Sequence, residues 1–244
     1  MQLILLNSFF FTFQGWFWHG YEVVGLEKIP DTGPALLVYY HGALPLDYYY
    51  LVAKFLLHKH RIIHSVVDSF LFHIPGFGTI LSSFCCTPGT VQSCSKDLSE
   101  GNLLGLSPGG VYEALFSDHK DYKVMWKNRL GFAKIALEAK VPVIPVFTKN
   151  IREAVRTFNP GPSKTLIKWI YDKIRFPCAP IYGGFPVKMT TFIGDPIPYD
   201  PNDSPEMLRD KCKKGIEDLI QKHQRVPGNI CVALFERFHK RHTS

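Results

Sequence analysis

Hydrophobic positions fall into short β-prone runs at residues 35–40, 62–67, 103–106, 143–147 and 188–193. Between them lie longer stretches with helical spacing, at 45–58, 130–140, 163–174 and 204–224. Strand-sized apolar blocks alternating with helix-sized ones predict an α/β fold: a single domain with a central mixed, largely parallel sheet flanked by helices. Pro45 and Pro205 suit first-turn positions, where a missing N–H costs nothing, and Ser204 stands where a helix N-cap is needed. No internal repeat or low-complexity block breaks the alternation. One domain over residues 19–244 is expected, behind an apolar segment at 1–18.

That segment contains the most apolar run of the chain, LILLNSFFFTFQGWFW at residues 3–18. As a helix its 16 residues reach only ~24 Å against a hydrocarbon core of ~30 Å, and they include Asn7, Thr12 and Gln14. No basic stretch precedes the run and no small-residue cleavage site follows it, so a secretory signal is not expected. Trp16 and Trp18 close it, and such rings favour the headgroup layer. The segment is expected to be an interfacial or truncated membrane anchor; a buried core helix is the alternative. Residues 51–57 and 70–86 add further apolar surface, the second broken by Pro75, Gly76 and Gly78.

Composition narrows the class. The 244 residues are 46% hydrophobic and 20% charged, with 19 Phe, 11 Tyr and 4 Trp, which excludes disorder, collagen and coiled coil. The net charge is +7, and basic clusters at 59–61, 120–134 and through Lys211, Lys213, Lys214, Lys222, Arg237, Lys240 and Arg241 attract anionic lipid or a phosphorylated ligand. Nothing resembling a helix-turn-helix, RNP or zinc-finger pattern accompanies them, so nucleic acid is not an expected partner. Six cysteines without a CxxC pair read as reduced, cytosol-facing thiols, and His58, His60 and His64 lack companions at metal-ligand spacing. No metal and no cofactor are expected.

Two segments carry chemistry. The run ALLVYY leads into His41-Gly42-Ala43-Leu44-Pro45-Leu46-Asp47, placing a histidine at a strand's carboxyl end, where open α/β sheets bind ligands. A nearby carboxylate, Asp47, can hold the ring's other nitrogen and make His41 a general base. The second segment, Gly105-Leu106-Ser107-Pro108-Gly109-Gly110-Val111-Tyr112-Glu113, contains a G-x-S-x-G pattern, so a serine hydrolase using Ser107 is a rival reading. Pro108 has no N–H to give an oxyanion hole. The Gly109-Gly110 backbone can present N–H groups to an oxygen, and Glu113 can accept hydrogen bonds from a polyol.

Residues 41–47, Pro108-Gly109-Gly110 with Glu113-Ala114-Leu115, Asn128-Arg129-Leu130-Gly131-Phe132-Ala133-Lys134 and Val141-Pro142-Val143-Ile144-Pro145-Val146-Phe147 together resemble the glycerolipid acyltransferase superfamily, in the form of its mono- and diacylglycerol branch. The resemblance implies acyl transfer from acyl-CoA, as co-substrate, to a neutral glycerolipid hydroxyl, with membrane lipid as the surroundings. The implied location is the endoplasmic reticulum membrane, with the catalytic domain facing the cytosol. It implies His41 and Asp47 as catalytic residues and Pro108, Gly109, Gly110, Glu113 and Arg129 as substrate-binding; under that reading Arg129 and Lys134 are either contacts for the CoA phosphates or surface charges on the helix at 130–140. Three departures stand out. Five residues separate His41 from Asp47 instead of four. Tyr112 stands near the place where phosphate-accepting relatives carry an arginine, which favours a neutral acceptor. Finally, the chain starts almost at the catalytic domain, as a short isoform or fragment does. A non-catalytic lipid-binding homologue is the remaining alternative.

Overall fold

The computed structural model describes residues 2–239 apart from 69–70, 73–74, 77, 79–80, 82–84, 159–160 and 175–179. Much of the expected apolar stretch at 70–86, together with Cys178, Lys240 and Arg241, lies outside the described residues.

Seven strands form one sheet in the order β1-β9-β6-β2-β5-β3-β4. They are β1 (Glu22–Val24), β2 (Ala35–Tyr39), β3 (Ile63–Val67), β4 (Cys86–Pro88), β5 (Leu103–Leu106), β6 (Val143–Lys149) and β9 (Thr190–Ile193). Strands β4, β3, β5, β2 and β6 run parallel, and β9 pairs antiparallel with β6 while keeping β1 parallel to itself. The mixed sheet is therefore largely parallel, as the alternation predicts. A separate pair, β7 (Val155–Thr157) with β8 (Ile181–Gly183), is antiparallel.

Strand β2 is central because it is apolar on both faces. Leu36, Val38 and Tyr40 join one core cluster, while Ala35, Leu37 and Tyr39 join the other. Each fully buried aliphatic chain contributes about 1.5–3 kcal/mol. Helix α2 (Leu46–Lys59) covers one face with Tyr48, Leu51, Val52 and Phe55. The opposite face packs against α3 (Val91–Ser99), α5 (Gly131–Ala139) and α8 (Pro205–His223) through residues such as Leu98, Phe132 and Ile216. Residues 51–55 are thus largely core and not the apolar surface expected there: Leu51, Val52 and Phe55 are buried beneath the sheet. Ser204 caps α8 by accepting from the Met207 N–H at 3.2 Å with Pro205 in the first turn, as the sequence requires. Pro45 sits one place earlier than expected, at the N-cap of α2.

Helix α1 (Gln2–His19) carries the apolar N-terminal run and is built inside out. Ser8, Gly15 and His19 are buried, with Phe11 and Thr12 partly so, whereas Leu6, Phe9, Phe10, Phe13, Trp16 and Phe17 stand in the open at about 60% exposure or more. Gly15 lets α1 lie on α2, since a Cβ there would come 3.0 Å from the Tyr50 ring. Phe11 stacks on Tyr49, and Tyr50 donates its hydroxyl hydrogen to Gln14. The C-terminal helix α9 (Ile230–Phe238) pins the other end, Arg237 donating to the Phe17 carbonyl at 2.9 Å. Among the described residues, no helix is long and apolar enough to cross a membrane.

Candidate active site

Three adjacent parallel strands end side by side. His41 follows β2, Pro108-Gly109-Gly110 follows β5, and Asn150-Ile151-Arg152 follows β6. The strand order reverses here, because β5 lies on one side of β2 and β6 on the other, which opens a crevice at the carboxyl edge.

Gly42 admits His41 to that corner. A Cβ at 42 would fall 2.4 Å from Cγ1 of buried Ile151, so only glycine lets the backbone pass. The Gly42 carbonyl lies 2.6 Å from Nδ1 of His41. A carbonyl only accepts, so Nδ1 carries the hydrogen and Nε2 keeps its lone pair. Burial, with a lesser push from the Arg152 cation and against the Gly42 hydrogen bond, lowers the imidazole pKa to about 4. The ring is therefore neutral at pH 7.

Asp47 occupies the first turn of α2 and is buried. Among the described residues no hydrogen bond or ion pair joins it to His41. The expected Asp47–imidazole contact is taken by the Gly42 carbonyl, and the longer five-residue connection, with Pro45 at the N-cap, sets the carboxylate apart from the ring. Burial raises the Asp47 pKa to about 6, opposed by the Thr148 hydroxyl and the backbone N–H of Tyr48. Its Oδ1 is buried without a hydrogen-bond partner.

Glu113, on the short helix α4 (Gly110–Phe116), is wholly buried. Its Oε2 accepts from the backbone N–H of His41 at 2.9 Å and its Oε1 from that of Met125 at 2.7 Å. The expected polyol contact is thus corrected: both acceptors hold backbone, and Glu113 positions His41. Burial raises its pKa to about 7, against the pull of those two N–H groups.

The Pro-Gly-Gly turn is braced rather than open. Arg129 donates through Nη1 to the carbonyls of Pro108, at 2.8 Å, and Gly109, at 3.2 Å. The Gly110 N–H goes to the Ser107 carbonyl at 3.2 Å, so it does not point at a ligand as expected. Gly109 is required because a Cβ there would meet Glu113 at 2.5 Å. Arg129 thus acts first on the turn, and as whole residues Arg129 and Lys134 on α5 are exposed. Tyr112 packs with Phe116 and Tyr171 and carries the Lys127 ammonium on its face at 3.6 Å.

Ser107 makes a poor nucleophile. Its Oγ is buried with no hydrogen-bond partner, and a catalytic serine needs a base within reach.

Sequence reasoning missed Arg152. This buried cation donates to the Tyr40 hydroxyl, to the His41 carbonyl at 2.8 Å and to the Glu113 carbonyl at 2.9 Å. It ties the ends of all three strands into one shelf under the imidazole. The signal was an Arg-Glu pair three residues past the end of β6, whose first five residues are apolar and buried, a place where a charge survives burial only with partners. Among the described residues no cluster of His, Cys, Asp and Glu is arranged to hold a metal.

Comparison with known proteins places this arrangement in a family. A family model described as Acyltransferase matches residues 20–149. A human protein named DGAT1/2-independent enzyme synthesizing storage lipids is 54% identical over 222 residues, covering 91% of this chain and 67% of that protein. Its chicken counterpart, of the same name, is 51% identical over 224 residues, covering 92% and 66%. The chain spans about two thirds of the length of these curated relatives. The crystal structure of the 1-acyl-sn-glycerophosphate acyltransferase PlsC from Thermotoga maritima superposes with a TM-score of 0.57 over 89% of this chain and 79% of that one, at 19% identity, and shows the fold. With the family model matching more than half of the chain and relatives above half identity across nine tenths of it, the chain belongs to the acyltransferase family of the glycerolipid acyltransferase superfamily.

Proposed function

We propose that the chain transfers a fatty acyl group from acyl-CoA to the hydroxyl of a neutral glycerolipid, mono- or diacylglycerol, giving di- or triacylglycerol. The carrying observation is His41: a neutral imidazole at the carboxyl edge of the central strand, with Nδ1 engaged and Nε2 free to accept a proton. In the reaction Nε2 takes the acceptor's hydroxyl proton as its oxygen attacks the thioester carbonyl. The C–O bond forms, the C–S bond breaks, and the departing thiolate takes the proton back from the imidazolium. Attack is direct, without an acyl-enzyme. The Gly109 amide is assigned to the developing oxyanion, where one fixed donor is worth about 10²–10³ in rate.

A base with a pKa near 4 is weak unless its cation is stabilised once formed. Two buried carboxylates serve: Glu113, bonded to the histidine's own backbone, and Asp47, whose unpartnered Oδ1 accepts the imidazolium N–H when the ring turns toward it. Catalytic hydrogen bonds commonly tighten only with substrate bound. A neutral acceptor is supported by residues 108–113, which hold no arginine, and by the storage-lipid names of the human and chicken relatives. The aromatic outer face of α1 supports a seat along a membrane surface. This reading assigns it to the endoplasmic reticulum with the site facing the cytosol, in keeping with five described cysteines that are all free thiols.

The test is an acceptor panel in vesicles with labelled oleoyl-CoA. Monoacylglycerol and diacylglycerol are expected to be acylated well above lysophosphatidate. Lysophosphatidate as the preferred acceptor, or no transfer to any of them, contradicts the reading.

A further inference from the structure

Behind the carboxylate that holds His41 lies a cavity of about 390 Å³ between the loop at 123–128 and helix α8. Lys123 and Lys127 line it from the loop, Arg209 and Lys213 from the helix, and Asp210 is the one acidic residue in its wall. Arg209 and Lys213 are four apart, so they project from one face of α8. Asp210 pairs with its neighbour Arg209 at 2.8 Å, and Lys213 meets Glu217 at 3.7 Å in a solvent-exposed pair of the kind that contributes little. Four basic residues from two distant parts of the chain thus line one cavity beside a single acidic one, an excess of positive charge that suits an anion. Arginine and lysine together are phosphate ligands. Lys127 holds left-handed backbone, φ 50°, which places its ammonium over the ring of Tyr112.

The cavity is coupled to the base through one side chain. Met125 in its wall donates its N–H to one oxygen of Glu113, and His41 donates its N–H to the other. The same loop continues to Arg129, which braces Pro108 and Gly109.

We propose that this cavity binds the phosphorylated end of the acyl donor. The proposal rests on the acyl-transfer reading above and deepens it. Coenzyme A carries its phosphates at the far end of a pantetheine arm from the thioester, so its reacting carbon lies by Nε2 while its phosphates lie one helix away. The shared chemistry is a phosphate, which a phospholipid headgroup also supplies.

The test uses the full chain and its Arg209→Ala/Lys213→Ala double variant, checked by thermal melt. Coenzyme A is titrated calorimetrically, KM is measured for oleoyl-CoA and for the phosphate-free oleoyl-N-acetylcysteamine thioester, and binding to phosphatidate vesicles is recorded. The Kd of coenzyme A and the KM of oleoyl-CoA are expected to rise about tenfold, with the KM of the phosphate-free thioester unmoved. A loss confined to phosphatidate vesicles overturns the acyl-donor assignment and gives the phosphate site to a lipid headgroup. Equal coenzyme A affinity, KM and vesicle binding in both proteins overturn the cavity assignment and leave acyl transfer standing. Coenzyme A binding that weakens in the variant, beside a wild-type chain that transfers no acyl group, does the reverse.

Discussion

His41, Glu113 and Arg152 form one unit: the proposed base, the carboxylate that fixes its backbone N–H, and the cation that fixes its carbonyl. Because the imidazole pKa is lowered to about 4, the base stays free well below neutrality. The acid limb of kcat/KM is expected below about pH 5, not near the 6.5 of an ordinary histidine; an inflection at 6.5 contradicts it. Asp47→Asn should keep the melting temperature yet lose on the order of 10²–10⁴ in kcat, the scale of removing an imidazolium's partner. Near-full activity means the Gly42 carbonyl alone suffices. Glu113→Gln sets an NH₂ group against a backbone N–H and should cost about 1–3 kcal/mol of stability in a denaturant titration. The Glu113 pKa is raised from 4.5 to about 7, so the fold holds that proton longer than the unfolded chain does. Its contribution therefore weakens stability as pH climbs from 4.5 through 7, and the gap to the Gln variant should narrow over that window. His41 was legible in the sequence because it ends an apolar run. The roles of Glu113 and Arg152 were not, since each depends on backbone groups 72 and 111 positions away.

At the level of elements, the site is three strand-to-helix corners pressed together until only glycine fits. Gly42→Ala should destabilise by about 1–3 kcal/mol through the clash with Ile151 and also slow turnover, because it displaces the carbonyl that orients the ring. Adding Ile151→Ala removes the clashing Cγ1 and should restore activity in part; no recovery argues that the corner is set by other contacts. The long strands and helices were legible because their periodicity is carried by core residues: 103–106 coincides with β5, and 204–224 brackets α8 with its Ser204 cap. Strands β1, β4, β7 and β8, three residues each, were not, since so short a run has no period to detect. Helix α4 was hidden behind the Pro-Gly-Gly turn, which reads as a loop until Glu113 is seen to close it.

On the scale of the molecule, the chain combines a buried polar shelf at the sheet's carboxyl edge with an exposed aromatic helix face that water does not favour. Replacing Phe9, Phe13 and Trp16 of α1 with Ser should leave the core intact, because those rings touch little of it, yet cut binding to phospholipid vesicles by at least about 10²-fold, given ~1.5–3 kcal/mol per fully buried ring. Unchanged vesicle flotation contradicts a membrane seat for α1. The apolar character of this segment was plain in the sequence. That its small and polar residues face inward was not, because the partner, Tyr50 on α2, lies 35 residues beyond Gly15. The proposed function rests on one proton transfer, and the most direct test is the rate of acyl transfer from oleoyl-CoA to diacylglycerol in vesicles by the wild-type chain and by His41→Ala, matched in melting temperature. A drop of about 10²- to 10⁴-fold is the predicted result, and equal rates contradict the account.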